Sequence, residues 1–181
     1  MVTDINGCIL TPSPAFTLTE SAPLIISSVG TSTAANGPYN IGCYNGSTGW
    51  ISIAVSGGST GNYSFEWSTA DGSGLINGQK DQASLTAGTY HVVVSDLNRC
   101  VAERDITLTQ PSPFTSSLTT ENITCASPGF NNGSIELTVT GGTPQYSYLW
   151  SNGSTSKDLT DLTPGTYSVT VTDINGCTIN N

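Results

Sequence analysis

The sequence predicts an all-β chain of tandem antiparallel sandwiches, and three observations support this prediction. Apolar residues alternate with polar ones in short runs, such as Ile135, Leu137 and Val139, as they do in a half-buried strand. Gly-Gly, Asn-Gly and Pro-Gly pairs separate these runs, as tight turns require. Long phrases also occur twice in the same order, which marks an array of similar units.

The repeated phrases are long enough to align the units residue by residue. The phrase GWISIAVSGG, starting at Gly49, matches GSIELTVTGG, starting at Gly133. The phrase LTAGTYHVVVSDLNRC, ending at Cys100, matches LTPGTYSVTVTDINGC, ending at Cys177. A third copy of the terminal phrase, VTDINGC, ends at Cys8. The chain therefore contains parts of three units.

Three segments follow from this alignment. We predict that residues 1–20 are the C-terminal strands of a preceding repeat, and that residues 21–110 form the first β-sandwich repeat. Residues 111–181 then form a second β-sandwich repeat that is truncated in its last strand. The runs between the units contain prolines, which favour an extended backbone, so we expect a stiff link between the repeats.

Four aromatic residues are predicted to lie in the cores. Trp67 and Trp150 occupy the third strand of their repeats, where a large ring can span two sheets. Tyr90 and Tyr167 begin the penultimate strand, after Ala-Gly-Thr and Pro-Gly-Thr. An immunoglobulin-like sandwich places a corner tyrosine there, so the predicted fold is a tandem array of immunoglobulin-like antiparallel β-sandwiches.

The charge composition excludes several classes of partner. Thirteen carboxylates stand against four Lys or Arg residues, for a net charge of −9. Four cations cannot form the basic face that nucleic acid requires, and an anionic membrane surface is disfavoured for the same reason. No run approaches the roughly 20 apolar residues of a transmembrane helix. We therefore expect neither a nucleic-acid partner nor membrane insertion.

The terminal phrases that end at Cys100 and Cys177 each contain the Asp-x-Asn pattern, which also occurs at Asp4 and Asn6 and offers oxygen ligands to a cation. Asp96 and Asn98 form one pair, and Asp173 and Asn175 form the other. Carboxylate and amide oxygens suit calcium, so these residues are weak calcium candidates, and no other cofactor is predicted. Asn-Gly is also a standard hairpin turn, and a turn and a weak calcium site are compatible.

The sequence predicts no enzymatic activity and no catalytic residue. His91 is the only histidine, and Ser168 replaces it in the other repeat, which favours a solvated strand position over a general base. Glycoside hydrolysis needs two facing carboxylates. Neither Glu66 nor Glu136 recurs as an acid in the other repeat.

The five cysteines occupy repeated positions. Cys43 and Cys125 precede the second strand, whereas Cys8, Cys100 and Cys177 end the terminal phrase. The natural pairing is one disulfide per repeat, Cys43–Cys100 and Cys125–Cys177, with Cys8 unpaired. The pairs Cys8–Cys43 and Cys100–Cys125 would instead join neighbouring repeats, and the sequence leaves this alternative open. Either pairing indicates an oxidising, extracellular setting.

The order of these phrases resembles the SprB repeat. The order is Cys, Asn-Gly-Ser-Ile, Thr-Gly-Gly-Thr-Pro, Tyr-Ser-Tyr-Leu-Trp-Ser-Asn-Gly, then Pro-Gly-Thr-Tyr-Ser-Val-Thr-Val-Thr-Asp-Ile-Asn-Gly-Cys. The stretch from Cys125 to Cys177 carries it almost completely. The stretch from Cys43 to Cys100 departs from it in one turn and has Asn-Arg-Cys in place of Asn-Gly-Cys.

This resemblance implies a cell-surface location and an adhesive context. SprB-type repeats occur in very large surface adhesins of Bacteroidetes that the type IX secretion system exports, and the namesake acts in gliding motility. The family has no catalytic residues to carry over. We therefore expect an extracellular, outer-membrane-associated stalk section whose partners are neighbouring repeats. The alternative is that the repeats bind polysaccharide weakly and multivalently, with calcium as a helper.

Overall fold

The computed structural model describes residues 2–3, 5–7, 9–10, 17–59, 61–122 and 131–181. Strands are the only regular secondary structure in this part of the chain. No helix long and apolar enough to cross a membrane occurs among these residues. A short hairpin, β1 (Val2–Thr3) with β2 (Ile9–Leu10), comes first, and two sandwiches follow it.

The first sandwich packs two antiparallel three-stranded sheets against each other. One sheet has the order β3-β4-β6 and the other β5-β7-β8. Taken in sequence as strands A, B, C, E, F and G, these sheets are the ABE and CFG sheets of an immunoglobulin-like fold without strand D. The six strands are β3 (Ile25–Thr31), β4 (Gly49–Ser56), β5 (Ser64–Thr69), β6 (Gln82–Leu85), β7 (Gly88–Ser95) and β8 (Val101–Leu108).

The second sandwich repeats this topology with shorter strands. Its sheets have the orders β9-β10-β12 and β11-β13-β14, which are again ABE and CFG. The predicted fold class, an all-β tandem of immunoglobulin-like sandwiches, is therefore confirmed. The six strands are β9 (Thr115–Glu121), β10 (Gly133–Thr140), β11 (Ser147–Trp150), β12 (Leu159–Leu162), β13 (Val169–Thr172) and β14 (Thr178–Asn180).

Each sandwich has its own hydrophobic core. In β4, Ile51 and Ile53 are buried while the residues between and beside them are more exposed, as period-two alternation requires. Burial of each such side chain stabilises the fold by about 1.5–3 kcal/mol. The second core is built in the same way. Its buried members are Ile135, Leu137, Trp150, Leu159, Leu162, Val169 and Val171.

A tyrosine at the start of strand F, or just before it, closes one corner of each sandwich. Tyr90 is completely buried, and its Oη lies 2.8 Å from the carbonyl oxygen of Thr86 and 2.9 Å from that of Ser73. In the second repeat, Tyr167 is partly buried and donates to the Thr163 carbonyl at 3.0 Å. The same hydrogen bond thus fixes the E–F corner in both repeats.

The tryptophan of strand C spans the two sheets. Trp67 and Trp150 are both buried, and each donates its Nε1–H to a backbone carbonyl of the following loop. The acceptors are Gln79 at 2.9 Å and Ser156 at 2.8 Å. A buried indole needs such an acceptor, so this contact also anchors the loop between strands C and E.

Candidate functional site

The two ends of a sandwich have different structures. Strands β4 and β7 run in the same direction, because the turn after β4 contacts the turn after β7 through the Ser59–Asp96 hydrogen bond. We call the end at which β4 begins, beside residues 34–46, the opening end. The end that carries the turn after strand F, residues 96–100 or 173–177, is the closing end.

An aspartate organises each closing turn. Asp96 Oδ1 accepts the backbone N–H groups of Asn98 and Cys100, both at 2.9 Å, and Oδ2 accepts that of Ser59 at 2.7 Å. Asp173 makes the same three contacts, with the N–H groups of Asn175, Cys177 and Thr143 at 2.9, 2.9 and 2.8 Å. The Ser59 N–H, followed by those of the turn, lowers the pKa of Asp96 below its ordinary value.

These contacts give the aspartate of the Asp-x-Asn pattern a turn-forming role. Both carboxylate oxygens of Asp96 accept backbone N–H groups, which use three of the roughly four lone pairs of the carboxylate. Among the described residues, no group of three or more His, Cys, Asp or Glu side chains is placed to hold a metal ion. Asp96 and Asp173 therefore organise the turns that contain Asn98 and Asn175, and calcium binding at these four residues stays a prediction.

The structure joins the two sandwiches by a disulfide that the sequence did not predict. Cys43, at the opening end of the first sandwich, bonds Cys177 in the closing turn of the second, with their Cα atoms 5.7 Å apart. The predicted pairs Cys43–Cys100 and Cys125–Cys177 are therefore wrong. Of the cysteines in the described part of the chain, Cys100 is free and exposed.

The reason is the direction of the strands. Cys100 immediately precedes β8, whereas Ile41, two residues before Cys43, hydrogen-bonds to Thr109 just beyond the end of β8. Eight residues of strand span about 25 Å, and a disulfide requires Cα atoms within roughly 7 Å. One sandwich therefore holds Cys43 and Cys100 at opposite ends.

The alternative pairing, Cys8–Cys43 with Cys100–Cys125, is also wrong, since Cys43 is bonded to Cys177 and Cys100 is free. Its premise of a bond between neighbouring repeats is correct, but the partners differ. Cys8 and Cys125 lie outside the described residues.

Two asparagines add a reciprocal set of hydrogen bonds to the junction. Asn175 Oδ1 accepts the backbone N–H of Asn36 at 3.0 Å, and Asn175 Nδ2 donates to the Asn36 carbonyl at 3.1 Å. Asn36 Nδ2 donates to the carbonyl of Ile174 at 3.2 Å. The Asn175 amide also donates to Thr143 Oγ1 at 3.0 Å. The closing turn of the second sandwich is therefore held against the Asn36 loop of the first by several specific hydrogen bonds.

The segment that links the sandwiches is fixed to both of them. Asn40 Oδ1 accepts the Thr109 N–H at 2.8 Å on the first sandwich. On the second, the Gly142 N–H donates to the Ser112 carbonyl at 3.1 Å. Pro111 lies fully buried between these contacts. A link with a buried proline and bonded ends behaves as a rigid connection rather than a tether.

One pair of structural carboxylates was missed at the sequence level. Asp81 accepts the backbone N–H of Ile53 at 3.0 Å, and Asp158 accepts that of Leu137 at 2.9 Å. The Leu137 N–H is the main cause that lowers the pKa of Asp158. Both aspartates follow a lysine at the same place in the two repeats, and this repeated Lys-Asp pair was the available signal.

His91 lies on the outer face of its sheet. Its Nδ1 is 2.7 Å from Asp105 Oδ1 on β8, and Ser68 is its neighbour on β5. Ser68, His91 and Asp105 are the residue types of a serine hydrolase triad, but the described structure contains no hydrogen bond from Ser68 to His91. The side chain of His91 is more than a third exposed on an open sheet, where water competes for any developing charge.

Two half-exposed aromatic side chains lie beside the junction. Trp50 is 44% exposed and Tyr44 is 43% exposed, both at the opening end. Trp50 borders a cleft of about 330 Å³ that also includes Ser32, Asn40 and Asn175. The second repeat has Ser134 in place of Trp50, so the first repeat alone carries this ring.

Comparisons with known proteins connect these two sandwiches to a repeat family. The SprB repeat family model matches residues 35–72 and again residues 117–155. A search of curated proteins finds no match. Among solved structures, the N-terminal four Ig domains of Dscam1 isoform 6.9 align over 91% of this chain and 46% of that one, with 11% identity and a TM-score of 0.30.

Proposed function

Since the chain contains two SprB repeats, we propose that it is a stalk section of a large, secreted cell-surface adhesin. The SprB repeat family is associated with cell-surface adhesins of gliding motility. In this proposal the repeats space a binding tip from the cell, and the chain is extracellular and exported by the type IX system. Gliding or surface attachment is the process it serves.

The junction between the sandwiches is the observation that carries the proposal. A stalk must transmit force and direction from one unit to the next. Here a disulfide, the Asn36–Asn175 hydrogen bonds and a buried Pro111 fix the opening end of one unit on the closing end of the next. A covalent bond at the junction also favours an oxidising location outside the cell.

Mechanical unfolding tests the load-bearing role. The bond encloses a loop with a sequence separation of 134 residues, which cannot extend while the bond is intact. We expect the oxidised chain, pulled from its ends, to lack this extension, and reduction to release about 450 Å at 3.3–3.6 Å per residue. Full extension of the oxidised chain would contradict a load-bearing junction.

Surface labelling tests the proposed location. Antibodies against the 181-residue chain should label intact cells of the source organism, and brief protease treatment of those cells should remove the label. An antibody against a cytoplasmic protein serves as the control for lysis. Labelling only after lysis would refute a surface stalk.

Weak polysaccharide binding is the second candidate function, and the exposed ring of Trp50 favours it. Aromatic rings stack on sugar rings, and the adjoining cleft contains amide and hydroxyl groups. A glycan array run with calcium and with a chelator tests it. Binding that Trp50→Ala removes, and that the exposed control Leu149→Ala keeps, would make the first repeat adhesive. A blank array would exclude this candidate and leave the stalk.

A further inference from the structure

The two closing turns of the chain have the same structure but different surroundings. In the second sandwich, Ile174, Asn175 and Cys177 are partly buried against the first sandwich. In the first sandwich, every residue from Leu97 to Cys100 is exposed, and Leu97 is 67% exposed. The closing end of the first sandwich is thus an uncovered copy of a surface that is covered elsewhere in the molecule.

The uncovered surface is already built for the same contact. Asp96 holds the N–H groups of Asn98, Cys100 and Ser59 at the distances that Asp173 uses in the second turn. The segment entering the sandwich is also placed alike, because the Gly58 N–H donates to Ala22 as the Gly142 N–H donates to Ser112. Asn98 and Cys100 therefore stand where Asn175 and Cys177 stand at the occupied junction.

We propose that the closing end of the first sandwich, comprising Ser59 and residues 97–100, binds the opening loop of a preceding repeat. In this complex Cys100 forms a disulfide with the opening cysteine of that repeat, as Cys177 does with Cys43. This inference rests on the proposed function, because it requires an array of repeats. Continuity with the observed junction identifies the occupant, and the terminal phrase VTDINGC that ends at Cys8 indicates that such a repeat precedes the first sandwich.

In this proposal every disulfide of the array joins two successive repeats. Each repeat uses its closing cysteine to bond the repeat before it and its opening cysteine to bond the repeat after it. By its sequence position Cys125 is an opening cysteine, so its partner belongs to a following repeat. Cys100 and Cys125 are then the two ends of a continuous covalent series.

Bond formation requires an oxidant, and a disulfide such as oxidised glutathione supplies it. One protein thiolate displaces a glutathione thiolate and forms a mixed disulfide. The second protein thiolate then displaces the other glutathione. Two protein thiols lose their protons and two electrons, one protein S–S bond forms, and two molecules of reduced glutathione are released.

The test lengthens the chain by one repeat. A second copy of residues 21–110 is inserted between residues 20 and 21 of the full chain, and the protein is refolded in a glutathione redox buffer. Peptide mapping by mass spectrometry should find the inserted copy's opening cysteine bonded to Cys100, with Cys43–Cys177 retained. We expect maleimide to alkylate Cys100 in the 181-residue chain, because this thiol is free and exposed, and this alkylation should be lost in the lengthened chain.

Two variants of the lengthened chain separate a built surface from simple thiol reactivity. Changing the inserted copy's opening cysteine to Ser should restore Cys100 alkylation. Leu97→Asp keeps both thiols but places a charge on the docking surface, so the yield of the Cys100 bond should fall, whereas the exposed control Leu149→Asp should leave it unchanged.

Three outcomes would overturn the proposal: intra-repeat bonds, a Cys100 that stays alkylatable while Cys43–Cys177 forms, or a bond yield that Leu97→Asp leaves unchanged. None of these outcomes bears on the stalk proposal, because surface labelling and the mechanical response of the 181-residue chain are measured separately.

Discussion

Removal of the Cys43–Cys177 disulfide is the perturbation whose size follows most directly from the structure. The double variant Cys43→Ser/Cys177→Ser removes both sulfurs of this bond, so neither position can pair with another cysteine. The bond has a sequence separation of 134 residues, and a closed loop of that length disfavours the fully unfolded chain by about 5 kcal/mol. Hydrogen bonds such as that of Asn175 to Asn36 remain possible in the variant.

The magnitude depends little on which sandwich unfolds first. If one sandwich unfolds while the other stays folded, the bond still closes a loop of roughly 70 residues, which is worth about 4 kcal/mol in the same chain-entropy relation. We therefore expect a loss of about 4–5 kcal/mol in the free energy of unfolding. For a urea dependence of about 2 kcal/mol per molar, the midpoint falls by about 2 M.

Urea unfolding followed by tryptophan fluorescence measures this loss. Trp67 and Trp150 are buried, one in each sandwich, so fluorescence reports on both units. Cys100→Ser is the matched control, and because that thiol is free and exposed its effect should stay within about 0.5 kcal/mol. Equal losses in the control and the double variant would refute the assignment of the bond, and a double variant as stable as the native chain would refute the loop argument.

Five further substitutions, considered as two pairs and one single change, test individual contacts of the repeats by urea unfolding. Tyr90→Phe removes the hydroxyl that donates to the Ser73 and Thr86 carbonyls and should cost about 1–3 kcal/mol, while Tyr167→Phe should cost less because solvent reaches its hydroxyl. Asp158 has a lowered pKa, so its stabilisation is complete above the ordinary value of 3.8 and is lost as the pH falls through the lowered value. Asp158→Asn should therefore flatten the acid end of the stability profile, and an unchanged profile would contradict this. Gly141→Ala would place a Cβ against the Pro113 carbonyl at a φ of +74°, whereas Gly153, at a φ of +84°, has open space. Gly141→Ala should therefore lower the free energy of unfolding by about 1–3 kcal/mol more than Gly153→Ala does. Equal losses would show that the positive φ alone sets the cost.

The sequence predicted the strands and the core aromatics because both depend on local pattern. Alternation in SIELTVT places Ile135 and Leu137 inward, and the position of Tyr90 at the start of strand F is a local signature. The pairing of Cys43 was missed because it depends on strand direction. In an immunoglobulin-like sandwich strands B and F run in the same direction, so a cysteine before B and one after F lie at opposite ends. The predicted fold already excluded the predicted disulfide.

Other parts of the junction had no signal in the sequence. Asn36 lies in a loop of residues 32–42 for which the second repeat has only a short counterpart before Cys125, so the internal alignment could not mark it. Its contact with Asn175 spans 139 residues, and no periodicity reports on a pair so distant. The sequence pattern marked Asp96 as a candidate cation ligand, but a carboxylate in a turn has several possible partners. Only the backbone geometry shows that N–H groups donate to its oxygens.

The sequence separation of the disulfide also imposes an order of events on the growing chain. A polypeptide is made and exported from one end, and domains form as units in that order. Cys43 must wait until Cys177, 134 residues later, has emerged and its sandwich has folded. Cys100 emerges first and is the nearer thiol in sequence, but once strands B and F are paired in their sheets it is out of reach. The disulfide of each repeat therefore forms only after the next repeat has emerged and folded. Early folding of each sandwich keeps its opening cysteine away from the wrong partner.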